Sequence, residues 1–390
     1  PRSLGLDRRS RRLSDRDEAG RYWTDDPMVR FLRAFRPHFE HVVLIGRVFA
    51  RKADTVAPYR ADDDGVSVVA LPPYERVHNL ALRPWAFWPA TERALLATLP
   101  TLDALWLNFG HPVSYRALQI CAKTPKIRPF AVLRGHYDRD AAFRAPGGRL
   151  QRKLTGMLAT NLLNRFARLA VQRDVPCVGF GTGPRLKAYG LRHIPMVSSL
   201  LDASDLQRTY DDDVARADLL VVGRLAREKG VDLLLKALVA VPGATLRVVG
   251  GGEEESALRT QARVLGIADR VWFDGPIPFG PKLFARYQAT SLVVIPSRTE
   301  GAPKAAFEAM AFGKPVVASR VGGLPDIIGA NDERGALVTV GDTEELAKTL
   351  QIALHERDWI QSRVDAARAF GREVSLQRQV AKIAEFVSES

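Results

Sequence analysis

The chain has 390 residues, 46% hydrophobic and 26% charged, a globular balance that excludes disordered, collagen-like and disulfide-scaffold chains and exceeds one ordinary core. No apolar run approaches the ~20 residues that cross a bilayer, and the opening PRSLGLDRRSRRLSDR lacks the apolar stretch of a signal peptide. Residues 1–200 hold 33 Lys and Arg against 17 Asp and Glu, and residues 201–390 hold 24 against 27, so the first half carries the whole net charge of +13 and points to an anionic partner.

In chain order the pattern is alternating strand and helix, which implies parallel sheets with crossover helices. Residues 27–39 put Met28, Phe31, Leu32 and Phe35 on one helical face, and HVVLIGRVF (41–49) is an apolar run of buried-strand length. VSVVALP (66–72), ALWLNFG (104–110) and PFAVLRG (129–135) read as further strands, with helices over 90–99 and 113–122. The segment 149–169 is an amphipathic helix with Leu150, Leu154, Met157, Leu158, Leu162 and Phe166 on one face and Arg149, Arg152, Lys153, Arg165 and Arg168 around it. It suits packing on a core with solvated arginines, or a membrane surface. Cys121 and Cys177 belong to no CxxC or Cys/His cluster and read as buried thiols of a reducing cytoplasm.

A polar stretch (202–218) reads as an interdomain linker. Beyond it the rhythm restarts with strands at 219–224, 245–250, 270–275, 291–297, 314–319 and 335–340, and then helices over about 342–355, 358–370 and 375–388. The fold class is α/β, with two doubly wound Rossmann-like domains facing a cleft. The expected boundaries are 1–200, 201–370 and a final helix, 371–390, packing back on the first domain.

Ligands of such sheets bind beyond the carboxyl ends of the strands, and four loops there carry suitable groups. VVGRLAREKG (221–230) brings Arg224 and Lys229 close together at a strand end and a helix start, which suits a diphosphate. VVGGGEEESAL (248–258), containing Gly251, allows close backbone approach but is neither GxGxxG nor a P-loop. PSRTEGAPKAAFEAMAFGKPVVAS (296–319) places Glu300 at a strand end and Glu308 about two turns into the next helix. Gly301, Ala302 and Pro303 open that helix, with Lys304 beside them, and Pro303 suits a first helical position. Paired carboxylates suit sugar hydroxyls, each accepting two hydrogen bonds. SRVGGLPDII (319–328) is a fourth strand-to-helix turn.

This ordered set, GR with KG five residues after the Arg, EGxPx4E, GKPVVAS and VGGLPD, resembles the family-4 retaining glycosyltransferases (glycosyl transferases group 1), over about residues 217–355. The resemblance implies the GT-B fold. It also implies a diphosphate contact for Arg224 and Lys229, sugar-hydroxyl contact for Glu300, ribose contact for Glu308 and phosphate amides at Gly301 and Ala302. Backbone near Ile277, after FDGPI, resembles the segment beside the base. Transfer is then metal-independent and retaining, with no cofactor beyond the nucleotide-sugar co-substrate.

The first half departs from that pattern. EAGRYWTDD (18–26) offers a single glycine, Gly20, where many members have two, and the strand before it is expected to be truncated or missing. His136 in RGHYDRD (134–140) stands about where members place a histidine near the reacting sugar, and His111 in NFGHP is a second strand-end histidine. Trp85 and Trp88 suit the core better than a sugar face. The resemblance and the charge together imply a cytoplasmic hexosyltransferase, Glu300, Arg224, Lys229 and His136 carrying catalysis. Its expected partners are a nucleotide-sugar donor, a glycan or lipid-linked acceptor of a cell-surface polysaccharide pathway and an anionic membrane surface. A nucleotide-sugar epimerase or sugar-phosphate synthase of the same fold is the alternative. Nucleic acid is the distant one, since the basic half shows no stacking stripe or reading motif.

Overall fold

A computed structural model describes residues 3–389 apart from 8–13, 25–26, 28, 51–58, 64, 75–79, 81–83, 125, 135–148, 181, 197–198, 211–216, 302 and 330. The chain forms two α/β units, Pro1–Met196 with Gln379–Ser390, and Val197–Arg378. The division falls at 196/197 rather than 200/201, and the chain rejoins the first unit at 379 rather than 371. The end of the last helix, Leu376–Ser388, is held there: Arg128 Nη1 donates to the Ser388 carbonyl at 3.0 Å, and the Arg192 guanidinium lies 5.1 Å from the Phe386 ring centre.

The first unit contains β1 (Ser3–Asp7), β2 (Ser14–Arg16), β3 (Tyr22–Thr24), β4 (His41–Ala50), β5 (Tyr59–Arg60), β6 (Val66–Leu71), β7 (Ala104–Asn108), β8 (Arg128–Arg134), β9 (Cys177–Phe180) and β10 (His193–Met196). Among the described residues the order is β10-β9-β8-β7-β1-β4-β2-β3-β5, with β6 also on β4. The first strand, expected to be truncated or missing, is therefore present as β1, parallel to both β4 and β7 with Leu4 fully buried. SLGLD has only two large apolar residues and arginines on both sides, so its central place comes from its neighbours and not from its own hydrophobicity. β9 and β10 also went unforeseen, each being four residues long.

The helix Arg149–Gln172 rests on Ala159, Leu163, Phe166, Ala167 and Ala170. Leu154, Met157 and Leu158, grouped with Phe166 by the sequence pattern, are 55%, 61% and 62% exposed. At 100° per residue they stand opposite the buried row. Trp88 is half-buried against the core, as expected, but Trp85 is exposed, because it opens the helix Pro84–Thr98 before that helix meets the sheet.

The second unit is a parallel sheet of β11 (Ala217–Val222), β12 (Leu246–Val249), β13 (Val271–Gly275), β14 (Thr290–Ile295), β15 (Val316–Ser319) and β16 (Gly335–Val338), ordered β13-β12-β11-β14-β15-β16. Its inner strands are rich in Val, Leu and Ile, as strands covered on both faces are, whereas the edge strand β13 reads VWFDG. The expected linker contains a short helix, Ala203–Gln207, whose Asp202 accepts from Asp205 N at 2.9 Å in a capping box. From β11 the chain winds outward to β13, returns to β14 and winds the other way. The strand order thus reverses between β11 and β14, the switch point where open sheets form ligand crevices.

Candidate functional site

The loops after β11 and β14 flank that switch point, and backbone contacts hold them and the β12 loop together. Gly223 N donates to Val249 O at 3.0 Å, Leu225 N to Gly251 O at 3.0 Å, and Glu254 N to Leu225 O at 3.1 Å. A Cβ on Gly252 would lie 2.2 Å from Leu225 O, so only glycine admits this approach. Gly230, at φ +68° before the helix Val231–Val239, would place a Cβ 1.9 Å from Pro296 O. The fourth loop leans on the third, with Gly323 N donating to Gly301 O at 2.7 Å.

On this frame the cations foreseen from sequence come close to the carboxylates. Lys229 Nζ donates to Glu300 Oε1, which also accepts from Ser297 Oγ at 2.9 Å. The Glu300 side chain is only 8% exposed. Arg224 pairs with Glu228, and its Nη1 reaches Glu253 Oε1 at 3.3 Å.

Sequence reasoning missed a clamp beside these groups. Arg298 grips both oxygens of Asp232 at 2.7 Å each, donates to Arg227 O at 2.7 Å, and through its backbone N donates to Glu228 O at 2.8 Å. Burial acts to raise the Asp232 carboxyl, but the Arg298 guanidinium, together with a backbone hydrogen bond and the Lys236 charge, holds it below its ordinary value. The partners lie 66 residues apart, so spacing gave no signal. The Arg two places before Glu300 was the available clue.

Glu308 sits in the helix Lys304–Ala311 and, like the Glu300 side chain, is nearly inaccessible to solvent. Its Oε2 accepts from Tyr287 Oη at 2.7 Å. Burial pushes the Glu308 carboxyl above its ordinary range despite that bond, and burial pushes the Tyr287 hydroxyl well above its own. Tyr287 therefore stays a donor. Pro303, expected as the first helical residue, is the cap before it, with φ −70° and ψ 126°. Proline's fixed φ suits an extended cap as well as a helix.

Gly251 lies in the β12 loop as expected, and Ile277 follows β13 half-buried. Lys304 opens its helix and is exposed. His136 and Ala302 lie outside the described residues. His111 is buried, its Nε2 2.9 Å from Tyr74 Oη.

Residues 207–371 match the family described as Glycosyl transferases group 1. An uncharacterized glycosyltransferase of Haemophilus influenzae is 28% identical over 252 residues, 63% of this chain and 66% of that protein. A D-inositol 3-phosphate glycosyltransferase of Mycobacteroides abscessus is 41% identical over 143 residues, 35% of this chain and 32% of that one. The matched stretches thus span just under two thirds of the first relative and about a third of the second. The Anabaena protein HepE, solved in complex with UDP, is 20% identical with a TM-score of 0.66, covering 100% of both chains. That likeness identifies the GT-B fold.

Proposed function

We propose, from a second unit whose residues match the glycosyl transferases group 1 family over 207–371, that this chain moves a hexose from a nucleotide-diphosphate sugar to an acceptor recognised by the first unit. The observation that carries the reading is the Lys229–Glu300 contact, which joins loops 71 residues apart at the reversal of the sheet. A diphosphate arriving there competes with Glu300 for Lys229 and with Glu228 and Glu253 for Arg224. Once engaged, the two cations stabilise the departing diphosphate without a metal, and Glu300 is released to accept donor-sugar hydroxyls. In this reading Gly301, Pro303 and Lys304 are on the phosphate side, Gly251 admits the backbone closely, and Ile277 flanks the base.

Transfer keeps the anomeric configuration. The anomeric carbon–phosphate oxygen bond breaks as the acceptor oxygen bonds on the same face, and the acceptor proton passes to the leaving phosphate. His136, outside the described residues, is the fourth catalytic residue in this reading.

A thermal-shift panel of UDP, GDP, ADP and their sugars tests the donor, since a ligand of the folded state raises the melting point by mass action. No stabilisation by any of them would sink the reading. Arg224→Ala and Lys229→Ala should each lower turnover ~100-fold or more, and near-normal rates in both would contradict the assignment. Donor turnover without acceptor would point to an epimerase.

The acceptor in this reading is lipid-linked or acidic, met at the cytoplasmic face of an anionic membrane during cell-surface polysaccharide synthesis. The helix Arg149–Gln172 supports this, with five Lys or Arg and no acidic residue, and with Leu154, Met157 and Leu158 exposed in one turn. Basic charge around exposed apolar side chains suits an anionic bilayer surface. Among the described residues no helix is long and apolar enough to cross a membrane. Equal sedimentation with anionic and neutral vesicles at low salt would remove the membrane reading.

A further inference from the structure

Glu308, the residue for which the family resemblance implies a ribose contact, lies buried in the second unit. The residue is 5% exposed, and Phe307 and Met310 of its helix share one apolar core with Phe284 and Phe312. A buried carboxylate without fixed partners adopts whichever rotamer best solvates it, which would make it a poor receptor for a ligand hydroxyl. Here one oxygen is fixed. Tyr287, fully buried on the neighbouring helix Pro281–Gln288, donates Oη to Glu308 Oε2 at 2.7 Å. The Tyr287 ring is itself held, lying 12° from parallel with Phe312 at a centroid distance of 5.7 Å. Neither bond of the Tyr287 side chain is free to rotate without breaking this packing.

We infer that Tyr287 is a positioning residue for donor recognition: by occupying Glu308 Oε2 it orients the carboxylate so that Oε1 is presented to the ribose hydroxyls of the nucleotide. The inference rests on the ribose contact that the family resemblance implies for Glu308. A hydroxyl that donates to one oxygen draws no proton from the ligand and leaves the second oxygen as the stronger acceptor. A charge-assisted hydrogen bond also tolerates little angular error. The contribution of Tyr287 therefore depends on the ribose hydroxyls being there, whereas a merely structural tyrosine would affect all nucleotides alike.

The test is calorimetric titration of UDP, GDP and ADP, followed by comparison of the tightest binder with its 2′,3′-dideoxy form. Wild-type protein should favour the ribose form by roughly tenfold or more, the scale of a hydrogen bond to a charged group. Tyr287→Phe should lose most of that preference by weakening the ribose form alone, with dideoxy binding unchanged. Phe312→Leu, which loosens the same packing but keeps the hydroxyl, should lower the melting temperature and retain the preference. A Tyr287→Phe protein that keeps the preference, or loses affinity equally for both forms, overturns the inference. Glu308→Gln reports separately on the parent reading: if it keeps the preference, the ribose contact itself is wrong. A second measurement needs no variant. The buried Tyr287 hydroxyl proton, followed by NMR in wild-type protein, should move when the ribose form binds and stay in place with the dideoxy form. Equal response to both would also overturn the inference.

Discussion

Gly230→Ala perturbs a close approach between the loops after β11 and β14. Two effects add. The residue is at φ +68°, and a side chain there is disfavoured by ~1–2 kcal/mol. The new Cβ would also stand 1.9 Å from the Pro296 carbonyl oxygen. Backbone sets both atoms, so the loops must part by more than an ångström, and forced overpacking of this kind is destabilising by ~1–3 kcal/mol. Together the loss should be ~2–5 kcal/mol. Gly266 is the internal control: it has the same φ of +68° with nothing within 4 Å of its Cβ, so Gly266→Ala should show only the first effect. Urea unfolding followed by tryptophan fluorescence measures both. Titration with the nucleoside diphosphate that the thermal-shift panel selects then asks whether parting the loops weakens binding. It should in Gly230→Ala, because Lys229 and Glu300 ride on the two loops, and not in Gly266→Ala. If the two variants agree within ~0.5 kcal/mol and bind equally, the close approach of these loops is not what holds the site.

The Arg298–Asp232 clamp should show a coupling of ~0.5–3 kcal/mol in a double-mutant cycle with Ala and Asn, toward the low end because both side chains are about a third exposed. Asp232 is held below its ordinary 3.8. Its stabilisation is therefore in place above that value and is lost as pH falls through the lower, folded one; Asp232→Asn should lack this part of the acid transition. Glu308 has the opposite sign. Its carboxyl is raised by burial, and the protonated form accepts ribose hydroxyls poorly. Nucleotide affinity should accordingly fall with acidification from a higher pH than an ordinary glutamate would give, and Glu308→Gln should flatten that dependence. Cys121 and Cys177 are pushed up to about 12 by burial, so at pH 8 a thiol reagent should label them at the rate of unfolding; fast labelling of the native chain would refute their burial. On the long helix, Leu154→Glu with Leu158→Glu should abolish sedimentation with anionic vesicles while leaving the melting temperature within a few degrees, because both side chains face away from the core.

The sequence by itself determined the second unit almost entirely. Its strands, β13 apart, are short runs rich in Val, Leu or Ile, and β11, β12 and β14 run directly into glycine or proline, a pattern that buried parallel strands favour locally. Arg224, Lys229 and Glu300 were legible because strand ends and helix starts are marked in the chain itself. β1 was not legible: SLGLD is mildly apolar alone and becomes a central strand only because β4 and β7 bury it. The helix 149–172 showed an apolar stripe, but only packing decided that Leu163, Phe166 and Ala170 face inward and Leu154 and Leu158 outward. Arg298 with Asp232, and Tyr287 with Glu308, likewise belong to tertiary structure alone. Local pattern records what a segment buries, whereas a hydrogen bond between side chains on different elements depends on where the whole sheet brings those elements, which no short stretch of sequence encodes.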